Sequence, residues 1–305
     1  VPGIRVDSHS SGEEYATSVK VSDSAFPTTK FSKTTVNPRI AIKYELTPSL
    51  VLRANVGTGF RAPYGFSEDL HLCSGSPRVW KSSNLKGERA ISYNLSADYY
   101  AKKYQFSINI FRTNLKDKIQ FSPADDEVKK FGYSYQWENV DDAYVQGVEL
   151  GAKANLFRNF NAGINWTFNQ GKFKHERADW SDPNDETVKE FPQRLQYAKD
   201  SRNISRFPAM TGDIDLDYTP GTWTFSLTSS LQGRMFIDYN SEDDGATSKI
   251  KKTNTFMIFN CRAAKRFGTC TVYAGAKNIF SYIQDEKHTD DAAFMYAPVY
   301  GATWY

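Results

Sequence analysis

Apolar and polar side chains alternate along this chain, residue by residue, over stretches longer than most globular strands. From Trp223 to Asp238, one face carries Trp223, Phe225, Leu227, Leu231, Gly233, Met235 and Ile237. The other carries Thr224, Ser226, Thr228, Ser230, Gln232, Arg234 and Asp238. A period of two is the signature of a half-buried strand, and a run of about 16 residues is well past the usual five or six. The same pattern precedes it: Ile214, Leu216 and Tyr218 alternate with Asp213, Asp215 and Asp217, and Thr219-Pro220-Gly221-Thr222 supplies a tight turn between the two.

The pattern repeats along the chain. Ile40, Ile42, Tyr44 and Leu46 form one face before a turn at Thr47-Pro48-Ser49, and a strand follows from Leu50 to Thr58. Ile91, Tyr93, Leu95, Ala97 and Tyr99 form another face, and after a turn at Ala101-Lys102-Lys103 come Tyr104, Phe106, Ile108 and Ile110. Tyr144 to Leu156 turns at Arg158-Asn159 into Phe160, Ala162, Ile164, Trp166 and Phe168. Phe256 to Arg266 turns at Phe267-Gly268 into Thr269 to Ile279. Between these hairpins lie long polar stretches: Ser8 to Lys33, Phe60 to Arg89, Phe121 to Tyr133, Phe173 to Phe207, Tyr239 to Thr253, and Ser281 to Phe294.

Short and long connections therefore alternate, as in an outer-membrane barrel with short turns on one side and long loops on the other. A soluble β-sandwich also alternates along its strands, but compact domains favour connections of about 4–6 residues throughout. The pattern predicts an all-β fold: one transmembrane antiparallel β-barrel domain over residues 1–305, with about twelve strands present. Ile214, Leu216, Tyr218, Phe225, Leu227 and Leu231 are expected to face lipid. Asp213, Asp215, Asp217, Gln232 and Arg234 are expected to face the lumen. The last strand, Gly301 to Tyr305, is shorter than the roughly 9–11 residues a span needs. No signal peptide opens the chain, and Val1 to Asp7 already reads as a strand. The expectation is an incomplete barrel with an open edge at the first strand.

Composition agrees with this reading. A mean hydropathy of −0.58 and no window of roughly 18 apolar residues exclude a transmembrane helix, while alternating barrel strands average out as hydrophilic. Aromatic residues make up 15% of the chain, which suits interfacial girdles. A net charge of +3 without a polybasic tract gives no footprint for nucleic acid. Cys73, Cys261 and Cys270 make neither a disulfide framework nor a metal spacing.

Four motifs carry a resemblance. Gly57-Thr58-Gly59-Phe60-Arg61-Ala62-Pro63, with Ser83-Asn84-Leu85-Lys86-Gly87-Glu88 after it, resembles the GxGFRAP and NPNLKPE pair of TonB-dependent outer-membrane receptors. Ser83 and Gly87 stand where the family often has Pro. Asn139 to Leu150 resembles the family's NxxxAxxxGxE strand through Asn139, Ala143, Gly147 and Glu149. Ala276-Lys277-Asn278-Ile279-Phe280 and Tyr300-Gly301-Ala302-Thr303-Trp304-Tyr305 resemble its xKNLFD and YGRxxY endings, with Ala302 in place of the usual Arg. In this resemblance the chain is the C-terminal portion of a 22-stranded barrel. Its plug domain and upstream strands lie elsewhere, and its partners are outer-membrane lipid, that plug, an energising TonB complex and a small-molecule metal chelate.

The resemblance implies active import of an iron chelate, siderophore or haem, with cobalamin (vitamin B12) as the alternative and no intrinsic cofactor. Arg61, Tyr64, Phe66, His71, Arg78, Trp80 and Lys81 are the candidate ligand-binding residues, because a basic, aromatic mouth suits an anionic chelate. His71 is also the candidate haem-iron ligand, and an ordinary loop histidine is the competing reading. Cys73 is either a free thiol or half of a disulfide whose partner lies outside this chain. Cys261 and Cys270 are expected diagonally across one hairpin, roughly 7–8 Å apart and too far to bridge. Glu242-Asp243-Asp244 is an acidic cluster of the kind that binds Ca²⁺, or an exposed acidic loop. Asp213, Asp215 and Asp217 are expected to face cations of the plug. A passive porin has no use for a plug. An outer-membrane phospholipase needs a nucleophile with a held base, and Ser8-His9-Ser10, expected in a loop, is the sole such cluster.

Overall fold

A computed structural model describes residues 1–14, 25–64, 79–133, 135–175, 202–240, 248–284 and 296–305. The chain runs as a meander. β1 (Pro2–Glu13) leads to β2 (Thr29–Thr47), β3 (Leu50–Arg61) and the short β4 (Val79–Lys81). β5 (Glu88–Tyr100) and β6 (Tyr104–Pro123) precede a single helical turn, α1 (Asp126–Lys129). β7 (Tyr135–Phe157), β8 (Phe160–Phe173), β9 (Met210–Tyr218) and β10 (Trp223–Gln232) continue the meander. β11 (Phe236–Asn240) and β12 (Ser248–Lys252) form a separate ribbon. β13 (Phe256–Phe267), β14 (Cys270–Lys277) and β15 (Thr303–Trp304) complete it.

Twelve of these strands pair in sequence order, β1-β2-β3-β5-β6-β7-β8-β9-β10-β13-β14-β15. Every neighbouring pair is antiparallel. The strand number expected from the alternation is met. Among the described residues β1 and β15 are the two edges of the sheet and do not pair with each other, so the sheet is open.

Register fixes which side chains share a face, because directly opposite residues of an antiparallel pair point the same way. Ala97, Ile108, Leu150 and Trp166 lie in one row across four strands; Leu95, Ile110, Val148 and Phe168 form the next. Ile214, Leu216 and Tyr218 continue this apolar face. Asp213, Asp215 and Asp217 lie on the other, opposite Asn165, Gly163 and Asn161. Near the short turns the apolar face closes with aromatic rings: Phe157 stacks on Phe160 at 4.7 Å and Trp223 on Phe225 at 5.6 Å. The turns are tight because Asn159, Gly221 and Gly268 take positive φ.

Four sequence expectations need correction. First, the strands outlast their alternation: Ser8 to Glu13 stays paired with Thr29 to Thr34, inside the stretch read as a connection. Backbone hydrogen bonding continues there without an alternating side-chain pattern to mark it. Ser8, His9 and Ser10 are therefore on a strand, with His9 on the face opposite the two serines. Second, Trp223 to Asp238 is not one strand. It breaks at Gly233, whose backbone is pressed against Met210 so closely that a Cβ would sit 2.8 Å from the Met210 carbonyl oxygen. Met235 and Phe236 are then buried consecutively, which no period of two allows. Third, Arg234 consequently lies in the break and not on the lumen-directed face of a strand, while Gln232 stays on the sheet and donates to the Tyr296 carbonyl at 3.2 Å. Fourth, Cys261 pairs with Ala276 and Cys270 with Phe267, at opposite ends of the hairpin. Six residues of strand separate them, about 20 Å.

Candidate functional site

The sheet presents two candidate surfaces: its polar face, and the root of the long connection between β3 and β5. The polar face is built in register. Asn109 on β6 donates to Glu149 on β7 at 2.8 Å, and Asn165 on β8 donates to Asp213 on β9 at 2.8 Å. Ser226 on β10 donates to Asp217 at 2.6 Å, and Arg53 on β3 pairs with Asp98 on β5. Asp213, Asp215 and Asp217 thus share one face of β9, as expected. Gly163 stands between Asp215 and Lys153 in the register. A Cβ there would lie 3.9 Å from Asp215 Cβ and 4.0 Å from Lys153 Cγ, so the lysine stem and the carboxylate flank the same small residue.

Gly147 shows why the third motif needs glycine. It faces the polar side, and a Cβ there would come 2.2 Å from the Phe168 carbonyl oxygen and 2.7 Å from the Phe111 ring. Phe111 covers this position, so the glycine makes room for a large ring against the backbone.

The loop root ties two motifs together. Asn139 accepts a hydrogen bond from the Lys86 backbone N–H at 2.8 Å and donates to the Lys86 carbonyl at 2.9 Å and the Asp117 carbonyl at 2.8 Å. One amide side chain therefore satisfies backbone groups of two other segments. Gly87 lies beneath the Phe60 ring, where a Cβ would be 2.3 Å from Phe60 Cζ; that contact explains why a glycine serves at this position. At the other end of the chain Asn278, at positive φ, donates to the carbonyls of Tyr282 and Tyr300 at 2.7 and 3.2 Å. It joins the last two motifs as Asn139 joins the middle ones.

Of the candidate ligand-binding residues, Arg61 pairs with Glu88 at 3.2 Å and remains about half exposed. Trp80 is half-buried on β4, which pairs in parallel with Tyr135–Trp137 of β7. Tyr64 is buried with Leu85, Ile119 and Trp137, and its hydroxyl donates to the Ser82 carbonyl at 2.8 Å. Burial pushes the Tyr64 hydroxyl above the usual phenol range. Lys81 is buried and donates to both carboxylate oxygens of Glu13 at 2.7 Å. Tyr64 and Lys81 thus hold the loop root together. Phe66, His71, Cys73, Arg78 and the Glu242-Asp243-Asp244 cluster lie outside the described residues. Among the described residues no group of three His, Cys, Asp or Glu side chains is placed to hold a metal ion. Glu13 and the clamping roles of Asn139 and Asn278 escape a sequence reading, because most of their partners are distant in the chain.

Residues 1–279 match the family described as TonB dependent receptor-like, beta-barrel. The chain is 26% identical over 266 residues to the vitamin B12 transporter BtuB of Photobacterium profundum, covering 85% of this chain and 36% of that protein. It is 27% identical over 151 residues to the ferric enterobactin receptor of Pseudomonas aeruginosa, covering 44% and 20%. Among solved structures, the unliganded ferric citrate transporter FecA superposes with a TM-score of 0.68 at 20% identity, over 99% of this chain and 41% of that one. The copper transporter OprC superposes with a TM-score of 0.64 at 20% identity, over 93% and 40%. The chain thus spans roughly a third to two-fifths of the length of its full-coverage relatives.

Proposed function

Because this chain belongs to the TonB-dependent receptor β-barrel family, we propose that it forms the C-terminal portion of an outer-membrane importer that takes up a scarce metal chelate. The observation that carries this reading is the family match across residues 1–279, on a sheet whose strands are apolar on one face and polar on the other. No helix among the described residues is long and apolar enough to cross a membrane; in this reading the strands are the crossing elements. The apolar face meets outer-membrane lipid, and the polar face lines a lumen that holds an N-terminal plug. Asp213, Asp215 and Asp217 face that plug. Further strands pair with the two open edges, since unpaired backbone groups in hydrocarbon cost several kcal/mol each. A TonB complex supplies the energy.

The cargo in this reading is an iron chelate, a ferric siderophore or haem, received at the loop between β3 and β5. Arg61 and Trp80 stand at its root, with Phe66, His71 and Arg78 along it. Cobalamin is the second reading, favoured by the alignment to a vitamin B12 transporter over 266 residues. The proposal is of transport and not catalysis: His9 faces away from Ser8 and Ser10 across β1, so that trio makes no nucleophile pair.

The test is uptake by cells that depend on the full-length receptor, with ⁵⁵Fe-siderophore, ⁵⁵Fe-haem and ⁵⁷Co-cobalamin as probes, each with and without TonB. TonB-dependent uptake of either iron probe supports the leading reading, uptake of cobalamin alone supports the second, and uptake that ignores TonB contradicts both. If haem is carried, His71→Ala weakens haem binding tenfold or more, about 1.4 kcal/mol. Unchanged haem binding in that variant removes the iron-ligand role.

A further inference from the structure

The connection between β3 and β5, read above as the cargo loop, is gripped by a residue of another strand. Lys81 on β4 is buried, and its ammonium donates to both carboxylate oxygens of Glu13 at 2.7 Å. Glu13 is the last residue of β1, 68 positions earlier in the chain. There the β1–β2 ladder ends at the pair Glu13 and Thr29, and the Glu13 backbone N–H donates to the buried Thr29 hydroxyl at 3.0 Å. The strands are close at this point: a Cβ on Gly12 would sit 2.5 Å from the Thr29 carbonyl oxygen. Glu13 is therefore fixed by the sheet itself, independently of the loop that it holds.

β4 needs such a hold. It is three residues long, and among the described residues it joins the sheet only by parallel pairing with Tyr135–Trp137. Parallel ladders are the weaker kind, and three residues make a short one. Side chains alternate along a strand, so drawing Lys81 towards Glu13 commits Trp80 to the opposite face. Lys81 stands in register with Trp137, which is buried with Tyr64, Leu85 and Ile119. Phe31 packs against that group from β2, just past the far end of the connection that follows Glu13. Both ends of the β1–β2 connection thus close on the root of the cargo loop.

We propose that Glu13 is a positioning residue for cargo binding: acting through Lys81, it sets β4 against β7 and thereby places Trp80 at the loop root. Lys81 then supports the site without touching the cargo, because its charge is already engaged by Glu13. The alternative is that Lys81 captures an anionic chelate directly. The two differ in what an apolar replacement does. Removing one partner of a buried ion pair leaves the other charged and uncompensated, whereas apolar groups of similar size can replace both. The proposal rests on the importer reading above.

The test uses the full-length receptor in phosphatidylcholine nanodiscs. Ferric enterobactin, haem and cyanocobalamin are the binding probes, and amide hydrogen exchange at positions 79 to 82 and 135 to 137 is the readout that needs no cargo. Glu13→Gln is expected to speed exchange at both segments, and to weaken binding of whichever probe the wild type takes, by roughly tenfold or more. In cells, TonB-dependent uptake at saturating probe is expected to keep its wild-type rate. The double substitution Glu13→Leu with Lys81→Met is expected to restore both protection and affinity. Circular dichroism and heat-dependent gel mobility report folding; Glu13→Asp replaces the glutamine variant if that one does not fold, with smaller changes in the same direction. Unchanged exchange in the folded position-13 variant overturns the proposal. So does a double variant that regains protection and not affinity, which would put Lys81 on the cargo. A wild-type receptor that binds none of the probes contradicts the importer reading, and exchange at positions 79 to 82 then decides by itself whether Glu13 holds β4.

Discussion

Ile108 and Asn109 are neighbours on β6, and their surroundings share almost nothing. Ile108 lies between Ala97 and Leu150, with Trp166 one strand farther on; Asn109 lies between Ser96 and Glu149 and bonds the glutamate. The same division runs across the sheet to Ile214 and Leu216 against Asp213 and Asp215. A single-residue register slip would exchange the two environments along a whole strand. The rows of Ile108 and Ile110 are defined by what they lack, since a polar group set among those apolar side chains finds no partner. The polar face is defined by specific partners, such as Asn165 with Asp213 and Ser226 with Asp217. One face should therefore be intolerant of charge as a class, and the other sensitive to shape and pairing at particular positions.

The largest effect should come from charge on the oily face. Ile108→Arg is expected to destabilise the folded receptor by about 2–4 kcal/mol, measured by urea unfolding in bilayers, as for arginine at a bilayer midplane. Asn109→Arg, one residue away and beside Glu149, should stay within about 0.5 kcal/mol of wild type. Equal losses at both positions would break the comparison. A second, smaller effect tests shape on the polar face. Gly147→Leu forces a side chain into the Phe111 ring and the Phe168 carbonyl, and overpacking of this kind costs about 1–3 kcal/mol. Pairing Gly147→Leu with Phe111→Ala should restore part of that loss, and no restoration would place the clash elsewhere. The smallest effect is Asn165→Ala, which removes one hydrogen bond to a half-buried carboxylate. It should cost about 0.5–1.5 kcal/mol in the same unfolding measurement.

Much of this division is legible in the sequence, because a period of two is a local property and strands with one oily and one polar face must obey it. Twelve strands and their tight turns follow from it. The rest depends on partners far along the chain. Lys81 reads as a loop cation until Glu13, on the first strand, is brought against it. Asn139 reads as a motif position until its amide is seen bridging Lys86 and Asp117. The break at Gly233 depends on Met210, on the neighbouring strand β9. The pairing of Arg89 with Lys116 is likewise invisible one strand at a time, since the two stand opposite each other only when β5 and β6 are set in register.

Nitroxide spin labels introduced one at a time through cysteine at positions 106 to 110 and 213 to 217, in the full-length receptor in bilayers, would read the two faces directly. Collision with dissolved oxygen, which concentrates in hydrocarbon, should be high at positions 106, 108, 110, 214 and 216, and low at 107, 109, 213, 215 and 217. The alternation should run in phase on β6 and β9, as their register through β7 and β8 requires. High oxygen collision at positions 109 and 215, or no alternation at all, would contradict a barrel wall with lipid on one side and a polar lumen on the other.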